Sequence, residues 1–190
     1  MSRGTTSSVG VCGSRDDGDV TEQVDIDVAS REDLAEIVAI RNAVAATSIA
    51  SFDTRPASVA DQLPWFDRTV STGPYRILVA RRAGRVLGYA SSGRYREHEA
   101  FVRTVEVGIG LHADSRGQGI GSRLYRVLFD YLAGQPVHVA VAGIALPNDA
   151  SVALHRRFGF REVGVFHEYA IKNGQYLSSL WLEKVFTEPA

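Results

Sequence analysis

The sequence predicts an α/β domain built on a mixed central sheet, and three observations lead there. Short apolar runs, some alternating and some continuous, recur from residue 24 to about residue 186, with amphipathic stretches between several of them. Two turn signals, Ala83-Gly84 and Lys172-Asn173-Gly174, join neighbouring runs as antiparallel hairpins. The run Val105-Glu106-Val107-Gly108-Ile109-Gly110-Leu111 enters a glycine-rich loop that opens directly into an amphipathic stretch, so a strand feeds a helix.

The elements follow in order. Val24-Asp25-Ile26-Asp27-Val28 alternates as a first strand. Ser30 and Asp33 form a capping-box pair ahead of Leu34, Ile37, Val38 and Arg41 at helical spacing. A second pair, Ser58 and Asp61, opens another helix, which Pro64 is expected to interrupt or restart; Phe52-Asp53-Thr54-Arg55-Pro56 between them reads as loop. Residues 76–80 and 86–90 are the strands of the first hairpin, and residues 93–103, polar and aromatic, are loop passing into strand. The helix after the glycine loop runs to about Leu132. Val137-His138-Val139-Ala140-Val141-Ala142 is a nearly continuous apolar strand of the buried, parallel kind. Leu146-Pro147-Asn148-Asp149 turns into a helix capped by Asn148 and ended by Gly159. The rest, to about Phe186, is two strands joined through Asn173-Gly174.

At 190 residues with 45% apolar content the chain can bury one sizeable core, which sets a single domain over residues 24–186. Residues 1–23, rich in Gly, Ser, Thr and Asp, are expected to be a disordered tail, and residues 187–190 a short C-terminal one. A net charge of −1 offers no basic field for nucleic acid or an anionic membrane. The lone cysteine, Cys12, excludes an intrachain disulfide and a cysteine-based zinc site. His98, His112, His138 and His167 have no ligand-like spacing, so no metal is expected. With no stretch near the roughly 18 apolar residues of a membrane span, and no signal-peptide core, the chain reads as a soluble cytoplasmic protein.

The glycine loop carries the first chemical signal. A helix N-terminus aims several backbone N–H groups and the positive end of its dipole at one spot, which favours an anion such as a pyrophosphate. Gly117, Gly119 and Gly121 miss the dinucleotide pattern G-x-G-x-x-G, because Ser122 takes its last position. No lysine follows the glycines, so a nucleoside-triphosphate loop fails too. What remains is Arg116-x-x-Gly119-x-Gly121 after a strand, against the plainer reading of a glycine turn with no ligand.

With these motifs the chain resembles the GNAT N-acetyltransferase superfamily, whose acyl-CoA pyrophosphate loop has the pattern Q/R-x-x-G-x-G/A. Asn148 and Leu154-His155-Arg156-Arg157-Phe158-Gly159-Phe160 resemble its second landmark, an Asn followed by L-Y-x-x-x-G-F. His155 in place of Tyr, and Leu146-Pro147-Asn148-Asp149-Ala150-Ser151-Val152 before it, are similar to the phosphinothricin acetyltransferase-like branch. The resemblance spans about residues 24–186 and implies the GNAT fold, a twisted mixed sheet of six or seven strands flanked by helices. It implies acetyl-CoA as co-substrate, with the strand edge Ile109, Gly110 and Leu111 along its pantetheine. Arg116, Gly117, Gln118, Gly119, Ile120, Gly121 and Ser122 would sit at its pyrophosphate, and Asn148 at the pantetheine or acetyl end. It also implies a homodimer.

Glu106 is a carboxylate inside an apolar strand, on the face shared by Thr104, Gly108 and Gly110, where two missing side chains leave a slot for a ligand. A solvent-facing strand Glu is the plain alternative; the resemblance aligns it with the branch's catalytic Glu. Amines attack thioesters only when neutral, and a lysine-like amine of pKa about 10.4 is roughly 0.1% or less neutral at pH 7. A carboxylate with a raised pKa can take that proton. His155 is a helix-surface residue on sequence alone; the resemblance makes it a second catalytic candidate, as acid to the CoA thiolate or as a group that binds or deprotonates the amine. For the acceptor, the branch's G-P-W-K-x-R-x-A-Y-x-x-T frame is replaced by Gly93-Arg94-Tyr95-Arg96-Glu97-His98-Glu99-Ala100-Phe101-Val102-Arg103-Thr104, which offers Tyr95 and Arg96, with Phe52 from the earlier loop. The expected activity is direct acetyl transfer in a ternary complex to the primary amine of a small molecule, an amino acid or analogue such as phosphinothricin or methionine sulfoximine. Another amine (aminoglycoside, polyamine, protein N-terminus) and a non-catalytic acyl-CoA sensor are the competing readings.

Overall fold

The structure, a computed structural model, describes residues 23–69 and 73–186. The expected tails and Cys12 lie outside them, apart from residue 23. The order of elements is β1 (Asp25–Val28), α1 (Leu34–Thr47), α2 (Val59–Thr69), β2 (Arg76–Arg82), β3 (Arg85–Arg94), β4 (Thr104–Leu111), α3 (Ile120–Ala133), β5 (Val139–Ala145), α4 (Asp149–Arg157), β6 (Arg161–Lys172) and β7 (Gln175–Val185). The seven strands form one sheet in the order β1-β2-β3-β4-β5-β7-β6. Only the central β4–β5 pair is parallel. The mixed sheet and its helical crossovers are those the sequence predicts.

Each face of the sheet has its own core. On one, α3 buries Ile120, Leu124, Tyr125, Leu128 and Leu132 against Val105, Val107, Ala140 and Ala142. On the other, α1 and α2 bury Leu34, Ile37, Val38 and Phe66 against Ile77, Val79 and Tyr89. The i, i+4 recurrence in α3 and the alternation in the strands therefore supply the two layers.

Local signals set the ends. Ser30 N–H and Oγ both bond to Asp33, through a short 3-10 turn that precedes α1. The carboxylate of Asp61 takes Ser58 N–H while Ser58 Oγ accepts from Asp61 N–H, a complete capping box. The turns after Arg82 and Lys172 hold Ala83-Gly84 and Asn173-Gly174 at positive φ, as two-residue hairpins require.

Pro64 does not interrupt its helix: α2 runs straight through it. Pro64 is exposed, so the carbonyl that loses its N–H partner, that of Ala60, stands on the exposed side where water can replace the bond. In the 93–103 segment, β3 extends to Arg94 and a 3-10 turn occupies Glu99–Phe101, capped by His98 Nδ1 accepting Ala100 N–H. Among the described residues no helix is long and apolar enough to cross a membrane.

Candidate active site

The site is built where β4 and β5 part. Their ladder runs Thr104↔Val139, Val105↔Ala140, Glu106↔Val141 and stops, although both strands continue. Beyond it β4 remains paired only with β3. In an antiparallel ladder, opposed residues exchange hydrogen bonds at every second pair. His112 N–H donates to Leu87 O at 2.8 Å, and the β3–β4 register is unbroken back to Arg94↔Val105. Alternation therefore turns the main-chain groups of Glu106, Gly108 and Gly110 toward β3. Those of Ile109 and Leu111 point into the gap left by β5, an open strand edge with donors and acceptors in line.

Gly110, expected beside them, has a packing reason of its own. A Cβ there would stand 2.5 Å from the Tyr89 ring, so the glycine admits Tyr89, while its main chain pairs with β3. Gly108 does line the open side, where its Cβ would meet only Ser91 Oγ at 3.6 Å.

The loop after β4 ends at Gly119, the N-cap of α3, at φ 75°, with no side-chain cap. Asp33, Asp61 and Asn148 serve at the starts of α1, α2 and α4, whereas no side chain caps α3, whose first N–H groups, on Ile120, Gly121 and Ser122, have no partner within the helix. Gly117 shares the left-handed conformation, and a Cβ on either Gly117 or Gly119 would meet open space. Gly121 has a packing reason, since its Cβ would lie 3.3 Å from Ile109 and 3.4 Å from Leu154. Gln118 braces the loop: its Nε2 donates to Asp114 O at 2.6 Å and its Oε1 accepts from Arg82. Arg116 is exposed, and Arg157 of α4 reaches Ser122 Oγ at 3.2 Å. Uncapped N–H groups, two left-handed glycines and nearby guanidiniums fit a pyrophosphate, and the open β4 edge fits an amide-bearing arm.

Glu106 points from β4 to the face of α1 and α2. It borders a cleft of about 750 Å3 with Trp65, Arg68, Tyr75, Ser91, Arg94 and Glu97. Its side chain is open to the cleft, yet the surrounding walls desolvate the carboxyl and raise its pKa above the ordinary 4.5.

His155 lies elsewhere. It is 3% exposed in the α3–α4 contact, with Nδ1 2.8 Å from Ser151 O and Nε2 2.9 Å from Tyr125 Oη. Burial lowers its pKa, so the ring is held neutral. The surface histidine that its helix pattern suggests is thus buried, and it does not line the cleft with Glu106. Asn148 caps α4, its Oδ1 accepting Ser151 N–H at 3.2 Å.

The acceptor candidates Phe52 and Tyr95 belong to an aromatic row, and with Arg96 they are not among the residues that border the Glu106 cleft. Phe101, Tyr95, Trp181, Phe166, Tyr169 and Phe52 follow one another at ring separations of 5.5, 6.0, 6.3, 5.4 and 5.7 Å. Arg96 stacks over Tyr95 and Phe101. The cleft is bordered by their neighbours Arg94 and Glu97, paired at 2.6 Å, and by Trp65, Arg68 and Tyr75. Sequence reasoning missed these. No local signal could have found them, since Arg94 follows Gly93 out of the alternation of β3 and the others come from separate elements.

The fold and this arrangement define a class, and comparison with known proteins gives it a name. Residues 37–160 match the acetyltransferase (GNAT) family model. The chain is 40% identical over 166 residues to a phosphinothricin N-acetyltransferase of Streptomyces coelicolor, covering 86% of this chain and 97% of that one. It is 39% identical over 152 residues to an L-methionine sulfoximine/L-methionine sulfone acetyltransferase of Pseudomonas paraeruginosa, covering 80% and 88%. The structure of yncA from Salmonella typhimurium with its cofactor acetyl-CoA superposes with a TM-score of 0.83 at 31% identity, over 88% of this chain and 96% of that one. The chain belongs to the GNAT family of acetyltransferases. Within it, this is an N-acetyltransferase of the phosphinothricin acetyltransferase-like kind, moving an acetyl group to an amine.

Proposed function

We propose that the protein acetylates the α-amine of an amino acid or amino-acid analogue, with phosphinothricin and methionine sulfoximine or sulfone the first acceptors to test. The observation that carries this reading is the position of Glu106, a desolvated carboxylate at the last β4–β5 pair. There the open β4 edge ends and the acceptor cleft begins. Acetyl-CoA fits along Ile109 and Leu111 with its pyrophosphate at residues 116–122, and the solved relative holding acetyl-CoA supports this. Arg94, paired with Glu97, brings a guanidinium to the cleft that suits a substrate carboxylate, and the names of the relatives support such acceptors.

The reaction follows from the placement. Glu106 takes a proton from the amine as its nitrogen attacks the thioester carbon, so the C–N bond forms while the C–S bond breaks and CoA leaves. Holding both substrates in one complex makes the attack effectively unimolecular. Cys12, the chain's lone thiol, is given no part as an acetyl carrier, and Cys12→Ser should turn over like the parent enzyme. Both ring nitrogens of His155 are engaged, which favours a positioning role for it over proton transfer. The edge hairpin leaves Val163, Phe166, Tyr169, Ile171 and Tyr176 exposed, which supports a homodimer across it.

The test is an acceptor screen with acetyl-CoA, read as free CoA thiol, across amino-acid analogues, polyamines, aminoglycosides and peptides. Preferred turnover of the amino-acid analogues is expected. Preference for a polyamine, aminoglycoside or peptide would refute the acceptor class, and acetyl-CoA binding without turnover of any amine would favour a sensor.

A further inference from the structure

Tyr125 and His155 form a buried polar pair that proton transfer at the thioester does not use. Tyr125 is completely buried and His155 nearly so. A carbonyl only accepts hydrogen bonds, so the 2.8 Å contact with Ser151 O places the proton of the imidazole on Nδ1. Nε2 of the neutral ring is then an acceptor, and Tyr125 Oη, 2.9 Å away, is the donor. The rings of Tyr125 and Phe160 stand edge-on to the imidazole at 5.1 Å each, walling it with apolar surface.

The same residue that accepts from His155 continues the chain of bonds. Ser151 N–H donates to Asn148 Oδ1 at 3.2 Å. This fixes the orientation of the Asn148 carboxamide, because its oxygen must face Ser151. The acceptor end of Asn148 is therefore spent inside the helix cap, and the NH2 end is the part left to meet a ligand.

We propose that Tyr125 and His155 are positioning residues that lock the first turn of α4 onto α3, so that Asn148 presents its Nδ2 donor to a carbonyl of the acyl-pantetheine arm. The proposal rests on the acetyl-CoA reading above and adds a job for a residue pair outside the cleft. α3 carries the uncapped N–H groups that fit the pyrophosphate, and α4 carries Asn148. The Tyr125–His155 bond thus sets the spacing between two points that one extended ligand must touch together.

Two measurements test it. The first is 15N NMR of histidine-labelled, ligand-free enzyme. His155 should be the neutral Nδ1–H tautomer and titrate lower than an exposed histidine of the same chain; an Nε2–H tautomer, or titration no lower than the exposed histidines, overturns the clamp. The second is a double-mutant cycle in acetyl-CoA affinity by calorimetry, using Tyr125→Phe and Asn148→Ala. Loss of one such hydrogen bond should weaken binding about fivefold for Tyr125→Phe. The double variant should bind about as weakly as Asn148→Ala alone, since both act on one network. Wild-type affinity in a folded Tyr125→Phe enzyme, or additive losses in the cycle, overturns the link to Asn148. Failure of the wild-type enzyme to bind acetyl-CoA would overturn the cofactor reading and this role of Asn148 with it, while the tautomer measurement still judges the Tyr125–His155 bond separately.

Discussion

Glu106 derives its chemistry from its address. Its side chain is open to the cleft, and the cleft walls partly desolvate the carboxyl, so its pKa rises. A base must be unprotonated to act, so kcat/KM should fall as pH drops through that raised value. The acid limb of the pH profile is expected above the ordinary 4.5, and activity sustained down to pH 4 would contradict it. Gly110 makes the opposite lesson. Alternation correctly put Glu106, Gly108 and Gly110 on one face, but it could not show that Tyr89, 21 residues earlier and paired opposite Gly110, fills one of the two spaces. Gly110→Ala should therefore destabilise the fold by about 1–3 kcal/mol through overpacking, lowering the melting temperature. An unshifted melt would show that Tyr89 swings aside freely. His155 is hidden from sequence for a similar reason: a polar residue followed by two arginines looks exposed until the partner that buries it, Tyr125 on another helix, is known.

At the scale of elements, helix starts were the most legible feature, because their signals lie three residues apart. The Ser30–Asp33 pair is one; what the sequence could not show is that Arg81, 48 positions away, also bonds Asp33. Burial pushes the Asp33 carboxyl up, but the bonds from Ser30 and Arg81 outweigh it and hold the pKa below 3.8. A depressed carboxylate adds stability that is present above the unfolded pKa and lost as pH falls through the folded one. Asp33→Asn should thus cost about 1 kcal/mol at neutral pH and less as the pH falls below 3.8, measured by denaturant unfolding. A loss that does not shrink with acidity would assign the effect to shape alone. The start of α3 is the deliberate exception to capping. Gly119→Asp would place a negative charge where the pyrophosphate fits. It should raise the acetyl-CoA KM by about tenfold or more, converted from the 1–2 kcal/mol that a charge is worth at a helix end. An unchanged KM would remove this helix end from the cofactor site.

Over the whole molecule, the succession of strands and helices was readable, and the strand order was not. The insertion of β7 between β5 and β6 rests on pairings of Val139 with Val185 and Ala145 with Ser179, which no local pattern announces. That insertion turns β6 into the sheet's edge, with Phe166, Tyr169 and Ile171 outward. If this face joins two copies, light scattering will give twice the chain mass, and Phe166→Glu with Ile171→Glu will give the monomer; a monomeric parent enzyme would contradict the dimer. The splay is also a property of the assembled sheet. It places the open edge of β4, the uncapped start of α3 and the Glu106 cleft in succession, which is the central claim about how this fold acetylates an amine. The most direct test compares Glu106→Gln with the parent enzyme in one preparation, reading turnover by CoA release and acetyl-CoA affinity by calorimetry. The site described here predicts a fall in kcat of about 10²-fold or more with acetyl-CoA affinity within about twofold. Turnover retained in Glu106→Gln would contradict it.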